Sequence, residues 1–182
     1  WCMAPLAVTN NPERQLLNSS CAEEFAIKTN QPLLWWENEL VGVLGAHIAE
    51  NRSLHESLTK KHPELIGHFV AGAPGHLLAN INPMKHLANG TPVVFHSLTF
   101  NTNEDEQAVK NAIAKWRADG CPSDGVRIKV PPPASINVQV PSVLATKQNQ
   151  DQRLGTAECI HKGALAECIV IPVPLGADFP AL

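Results

Sequence analysis

Prolines and turn dipeptides cut this chain into short pieces, and that punctuation limits what it can fold into. Fifteen of its 182 residues are Pro. A proline lacks the backbone donor and has a fixed φ, so it marks the ends of helices and strands rather than their interiors. His62-Pro63, Asn82-Pro83, Asn89-Gly90 and Pro131-Pro132-Pro133 divide the sequence in this way. Short apolar runs separated by such turns predict a small antiparallel sheet or barrel.

The first pieces read differently. Residues 3–8 are an apolar run ending at Thr9-Asn10-Asn11-Pro12. That is a buried strand running into a helix, with Asn11 as N-cap and Pro12 in the first turn. Leu17, Cys21 and Phe25 then recur every four residues and give the helix one apolar face. A strand followed at once by a capped helix opens an α/β unit. Residues 32–36 read as a strand or buried turn, and 53–61 as a helix stopped by His62-Pro63. Residues 69–74 read as a turn. The clearest helix covers 103–119. Glu104, Asp105 and Glu106 occupy its first turn, Asn101-Thr102-Asn103 supplies the cap, and Gly120 is the stop. Strands are predicted at 75–80, 92–98, 126–130, 136–140 and 168–173, and a flexible loop at 146–155. In the strand at 92–98, Val93 and Phe95 alternate with Val94 and His96. The expected fold class is therefore α/β, in the sense of an α+β mix.

Composition excludes some functions. With 44% hydrophobic and 17% charged residues, the chain can bury a core. Fourteen basic and 17 acidic residues give a formal charge of −3. A protein that holds DNA or membrane purely as a polycation would carry a basic excess, so any nucleic-acid role must use a local site. The five Cys (2, 21, 121, 159 and 168) are odd in number and widely spaced, which predicts reduced thiols rather than a disulfide framework. The longest apolar stretch, 163–177, is interrupted by Glu167, Pro172 and Pro174 and does not fit a membrane span. Asn10, Asn11, Glu13 and Arg14 come too early for a signal peptide. These features predict a soluble intracellular chain. Its start at Trp1 predicts a processed product or an excised piece.

Several standard constellations do not occur in the sequence. It contains no G-x-x-x-x-G-K-[ST], G-x-G-x-x-G, G-x-S-x-G or H-E-x-x-H. Cys159-Ile160-His161 and Cys168, with Glu158 and Glu167 nearby, bring thiolate and imidazole chemistry together, but C-x-H-x₆-C matches no common zinc module. No metal site and no catalytic residue is assigned. The eight His are scattered, which suits surface or satisfied core positions. Thr9, Asn10, Asn11, Arg14 and Asn18 gather at a strand end and the first turns of a helix, where anions dock in open α/β sheets. Simple capping by Asn11 and a solvated Arg14 account for the same residues.

Two stretches carry a family resemblance. The run Ala4-Pro5-Leu6-Ala7-Val8-Thr9-Asn10-Asn11-Pro12-Glu13-Arg14 through Asn18 resembles the strand and helix that open the second RecA-like domain of Pif-family DNA helicases, including the helicase half of Helitron-type transposons. The second stretch runs from Pro63-Glu64-Leu65 through Phe69-Val70-Ala71-Gly72-Ala73-Pro74 to Leu77-Leu78-Ala79-Asn80-Ile81-Asn82-Pro83, and continues as Leu87-Ala88-Asn89-Gly90-Thr91-Pro92 and His96-Ser97-Leu98. It is similar to a segment of the same helicases that has this order of turns and strands. Together the two stretches cover about the first hundred residues, with a weaker echo at Ile136 to Pro141.

The resemblance implies residues 1–62 as a partial RecA-like α/β segment. It implies 63–182 as a small β-rich module carrying the helix 103–119 and the loop 146–155. It implies an ATP-dependent 5′-to-3′ DNA helicase lineage. The P-loop and the acidic Mg²⁺ motif would lie before Trp1. Ile160-His161-Lys162-Gly163 has two letters of a late helicase motif, and Ala164 departs from it. Without a phosphate cradle the chain should hydrolyse no ATP alone, and ATP and Mg²⁺ enter only with a first RecA-like domain.

The expected activity is weak contact with single-stranded DNA through Thr9, Asn10, Asn11, Arg14, Lys85, His86 and Asn89. Trp35, Trp36 and Phe100 are open to base stacking or to core packing. Expected partners are single-stranded DNA, the absent helicase domain or another protein, with no membrane. A helicase piece would work in the nucleus or a mitochondrion. The alternative is a protein-interaction module that retains a helicase-like scaffold and binds no nucleic acid, which the negative charge favours.

Overall fold

A computed structural model describes residues 11–38, 40, 43–78, 80, 88–122, 125–141 and 168–174. The expected strand at 3–8 and the loop at 146–155 lie outside the described residues. The chain is α+β, with helices and two small sheets. Its elements, in order, are α1 (Asn11–Thr29), β1 (Leu33–Glu37), α2 (Val43–Glu50), α3 (Arg52–Lys61), a short 3₁₀ turn (Pro63–Leu65), β2 (Ile66–Phe69), β3 (Pro74–His76), β4 (Pro92–Thr99), α4 (Asn103–Ala118), β5 (Arg127–Lys129), β6 (Ser135–Pro141) and β7 (Cys168–Pro174).

These elements divide into two compact units. The first comprises residues 1–70 and 100–132, and the second 71–99 and 133–182. The chain therefore leaves the first unit after β2 and returns to it with α4 and β5.

In the first unit a three-stranded sheet runs in the order β2-β1-β5. The pair β1–β2 is antiparallel, with Trp35 opposite His68 and Trp36 opposite Gly67. The pair β1–β5 is parallel, with Leu33 opposite Arg127 and Trp35 opposite Lys129. Bonds from Leu33 N–H to the Val126 carbonyl and from Val130 N–H to the Trp35 carbonyl extend that pairing beyond both ends of β5. The sequence pattern suggested antiparallel turns; here the α4 crossover delivers β5 parallel to β1, as a helical connection permits. Successive residues of a strand point to opposite faces. Leu34, Trp36 and Phe69 fall on one face and are buried. Leu33, Trp35, Glu37, Ile66, His68, Arg127 and Lys129 fall on the other, where Leu33 is buried as well.

The helices follow local rules. Helix α1 continues to Thr29 and stops at Asn30, whose φ of 54° is left-handed. Asn30 N–H reaches the Ile27 carbonyl and Gln31 N–H the Ala26 carbonyl, which satisfies two of the four carbonyls that a helix end frees. Helix α3 is capped by Asn51, whose side chain accepts from Leu54 N–H. Helix α4 starts at a Thr102 cap and buries Val109 and Trp116. It ends as its sequence predicts, with Gly120 at φ 83° and Cys121 N–H bonded back to the Trp116 carbonyl.

The second unit is a four-stranded antiparallel sheet in the order β3-β4-β6-β7. Val93, Val94, Ile136, Val138 and Val140 are buried. The Asn89-Gly90 turn forms where the dipeptide predicts it, with Gly90 N–H bonded to the Leu77 carbonyl. Strict alternation along β4 fails at His96. The pairing steps from Phe95–Val138 to Ser97–Asn137, so His96 is an extra residue, and it is exposed. Such a bulge breaks the two-residue period that the sequence pattern assumed.

Candidate functional site

The face of the first sheet that carries Trp35 also carries a set of interacting polar side chains around the buried Leu33. His68 on β2, Trp35 on β1 and Lys129 on β5 stand opposite one another, forming a row across all three strands. Paired residues on neighbouring strands lie close enough for their side chains to interact. The Lys129 ammonium sits 5.0 Å from the centre of the half-buried Trp35 ring, a cation–π distance. It also donates to Glu37 Oε1 at 2.8 Å. Glu37 Oε2 lies 4.0 Å from His55 Nδ1 on α3.

At one end of this row three elements converge. Ser19 of α1 places its Oγ 3.4 Å from His68 Nε2. Arg127 Nη2 donates to Ser19 Oγ at 3.2 Å and lies 3.5 Å from His68 Nε2. Burial holds the His68 imidazole below its ordinary pKa, the Arg127 charge pushes it the same way, and Glu23 opposes them. Among the described residues Arg127 has no carboxylate partner. Arg127 and Lys129 are both exposed and lie on an edge strand.

The residues singled out from sequence fall in several places. Asn11 and Arg14 lie on the first turns of α1, and Arg14 is half-buried. Asn18 is exposed on the same helix. Asn89 is exposed in its turn, and its backbone N–H donates to Asn80 Oδ1 at 2.9 Å. Asn11 and Arg14 belong to the first unit and Asn89 to the second. Thr9, Asn10, Lys85 and His86 lie outside the described residues, as do Cys159 and His161, while Cys168 opens β7. Of the aromatic candidates, Trp36 is buried with its indole N–H donating to Asn38, whereas Trp35 and Phe100 are half-buried.

Ser19, His68, Arg127 and Lys129 were not singled out from sequence. A signal for two of them exists. In Val126-Arg127-Ile128-Lys129-Val130 the apolar and basic residues alternate, which puts both cations on one face of a strand. Nothing local marks Ser19 and His68, because their meeting depends on how α1 lies on the sheet.

Among the described residues no group of three or more His, Cys, Asp or Glu is arranged to hold a metal ion. Cys21 and Cys121 are free thiols. No helix among the described residues is long and apolar enough to cross a membrane. Compared with known family models, curated proteins and solved structures, the chain matches none.

Proposed function

We propose that this chain is a piece or a degenerate relative of a Pif-family or Helitron-type 5′-to-3′ DNA helicase. In this reading it touches single-stranded DNA weakly and hydrolyses no ATP alone. The RecA-like character of its opening strand and helix, and work in the nucleus or a mitochondrion, belong to the same proposal. ATP and Mg²⁺ would join only with a first RecA-like domain.

One observation supports the binding part of the reading: the exposed Lys129 sits over the half-buried Trp35 ring, and the exposed Arg127 lies two residues before it on the same strand face. Proteins that hold single strands without sequence preference pair cations that follow the backbone with rings on which bases stack. A base settling on Trp35 would displace the Lys129 ammonium toward a neighbouring phosphate. The overall charge of −3 keeps the affinity low, since the cations are local and few.

The same negative charge favours a second reading, a protein-interaction module on a helicase-like scaffold. Fluorescence anisotropy with labelled oligo-dT separates the two. Binding at low salt that weakens as salt rises, and falls in Trp35→Ala and Lys129→Ala, supports the first. Silence at low salt, with a defined protein recovered in a pull-down, supports the second. ATP turnover above blank by this chain overturns both.

A further inference from the structure

We propose that Ser19, His68 and Arg127 form an anion site that holds a phosphate group. Identifying that group as a DNA phosphodiester rests on the single-strand reading above.

A guanidinium carries five N–H donors in a planar fork that suits phosphate oxygens. Here Nη2 faces a hydroxyl oxygen at 3.2 Å and an imidazole nitrogen at 3.5 Å. Neither group brings the negative charge that a guanidinium ordinarily meets. Burial and the same cation instead hold the pKa of the neighbouring imidazole below its ordinary value. Three groups from α1, β2 and β5 thus bring their polar atoms to within 3.5 Å of one another around a guanidinium that has no carboxylate partner among the described residues.

A phosphate oxygen placed over this triangle resolves each feature. It accepts from the guanidinium, from the Ser19 hydroxyl and from His68 once Nε2 carries hydrogen. Its charge also offsets the repulsion between Arg127 and a protonated His68, so binding an anion draws a proton onto the ring. The groups that bear electrostatically on His68 are Arg127 from β5 and Glu23 from α1. Glu23 lies one helical turn beyond Ser19 and weakens anion binding without abolishing it. The site stands next to Trp35 in the strand pairing, so a nucleotide's phosphate and base would occupy neighbouring positions.

The test follows the His68 ring resonances of the full chain by ¹⁵N NMR across a pH series. The additions are inorganic phosphate, a thymidine dinucleotide lacking terminal phosphate, and chloride at matched ionic strength. Phosphate is expected to raise the His68 pKa by about half a unit to one unit, with chloride without effect. Arg127→Gln should weaken phosphate binding about ten- to a hundredfold, as loss of a charge-assisted bond does, and Ser19→Ala should weaken it less. Arg127 is exposed, and an otherwise unchanged spectrum shows that the variant is folded. A response to both phosphate and the dinucleotide supports the site and the DNA reading together. A response to phosphate alone supports the site and counts against the DNA reading. An unmoved His68 overturns the site; oligo-dT binding that Arg127→Gln leaves intact overturns its identification with a DNA phosphodiester and leaves the single-strand reading standing.

Discussion

The indole of Trp36 occupies the space where a side chain on Gly67 would stand, directly across the β1–β2 pair. A Cβ on Gly67 would collide with Trp36 Cε2 and Cζ2. Trp36 is 2% exposed and its N–H is held by Asn38 Oδ1 at 2.9 Å, so the ring has little room to withdraw. Gly67→Ala is therefore expected to destabilise the first unit by roughly 1–3 kcal/mol, as overpacking does. Urea denaturation measures it. Placing the same change in a Trp36→Leu background should recover much of the loss.

The start of α4 rests on one hydroxyl. Thr102 Oγ1 accepts from Asp105 N–H at 3.1 Å and donates to Asp105 Oδ2 at 2.7 Å. Thr102→Ala removes both bonds and should cost about 1 kcal/mol of stability, while Thr102→Ser should cost much less. Thermal melts followed by circular dichroism compare the two.

His68 makes stability depend on pH, with a definite sign. Its folded-state pKa lies below its unfolded value. As pH falls, the unfolded chain takes up this proton first. The contribution is whole above about pH 6.5 and is lost as pH falls from there through the folded-state pKa. His68→Gln should flatten the loss of stability as pH falls below about 6.5. Denaturation midpoints of both proteins at matched pH values show it. A parallel decline would indicate that other groups set the acid limb.

Lys129 is shared between a carboxylate and a ring. Glu37 neutralises part of the charge that the polar sheet face offers a nucleic acid. Glu37→Gln should strengthen oligo-dT binding several-fold at low salt, and the gain should shrink as salt is added. Anisotropy titrations at two salt concentrations are sufficient. Unchanged binding would place the DNA elsewhere.

Local chemistry was the legible part of this fold. The cap at Thr102, the stop at Gly120 and the Asn89-Gly90 turn each depend on residues within a few positions, and each forms where the sequence puts it. What escaped depends on distant pairing. The direction of β5 is decided by the crossover through α4, and the bulge at His96 by its fit to β6. The candidate site escaped for the same reason. Arg127 and Ser19 are 108 residues apart, and no window along the chain contains both. The alternation of basic and apolar residues in 126–130 was visible, but only the pairing with β1 shows what it faces.

The return of the chain to its first unit also sets an order of events during synthesis. Glu37 and its partner Lys129 are separated by 92 residues. On a ribosome, β1 and β2 emerge early and can form a hairpin-like pair, while the second edge of β1 stays open until α4 and β5 follow. A strand edge waiting in that state invites pairing with other chains. Lys129 and Arg127 therefore arrive as the closing pieces of the sheet. Truncation between the two units would leave β1 unclosed for good, so a shortened chain ending after β4 should aggregate where the longer one does not.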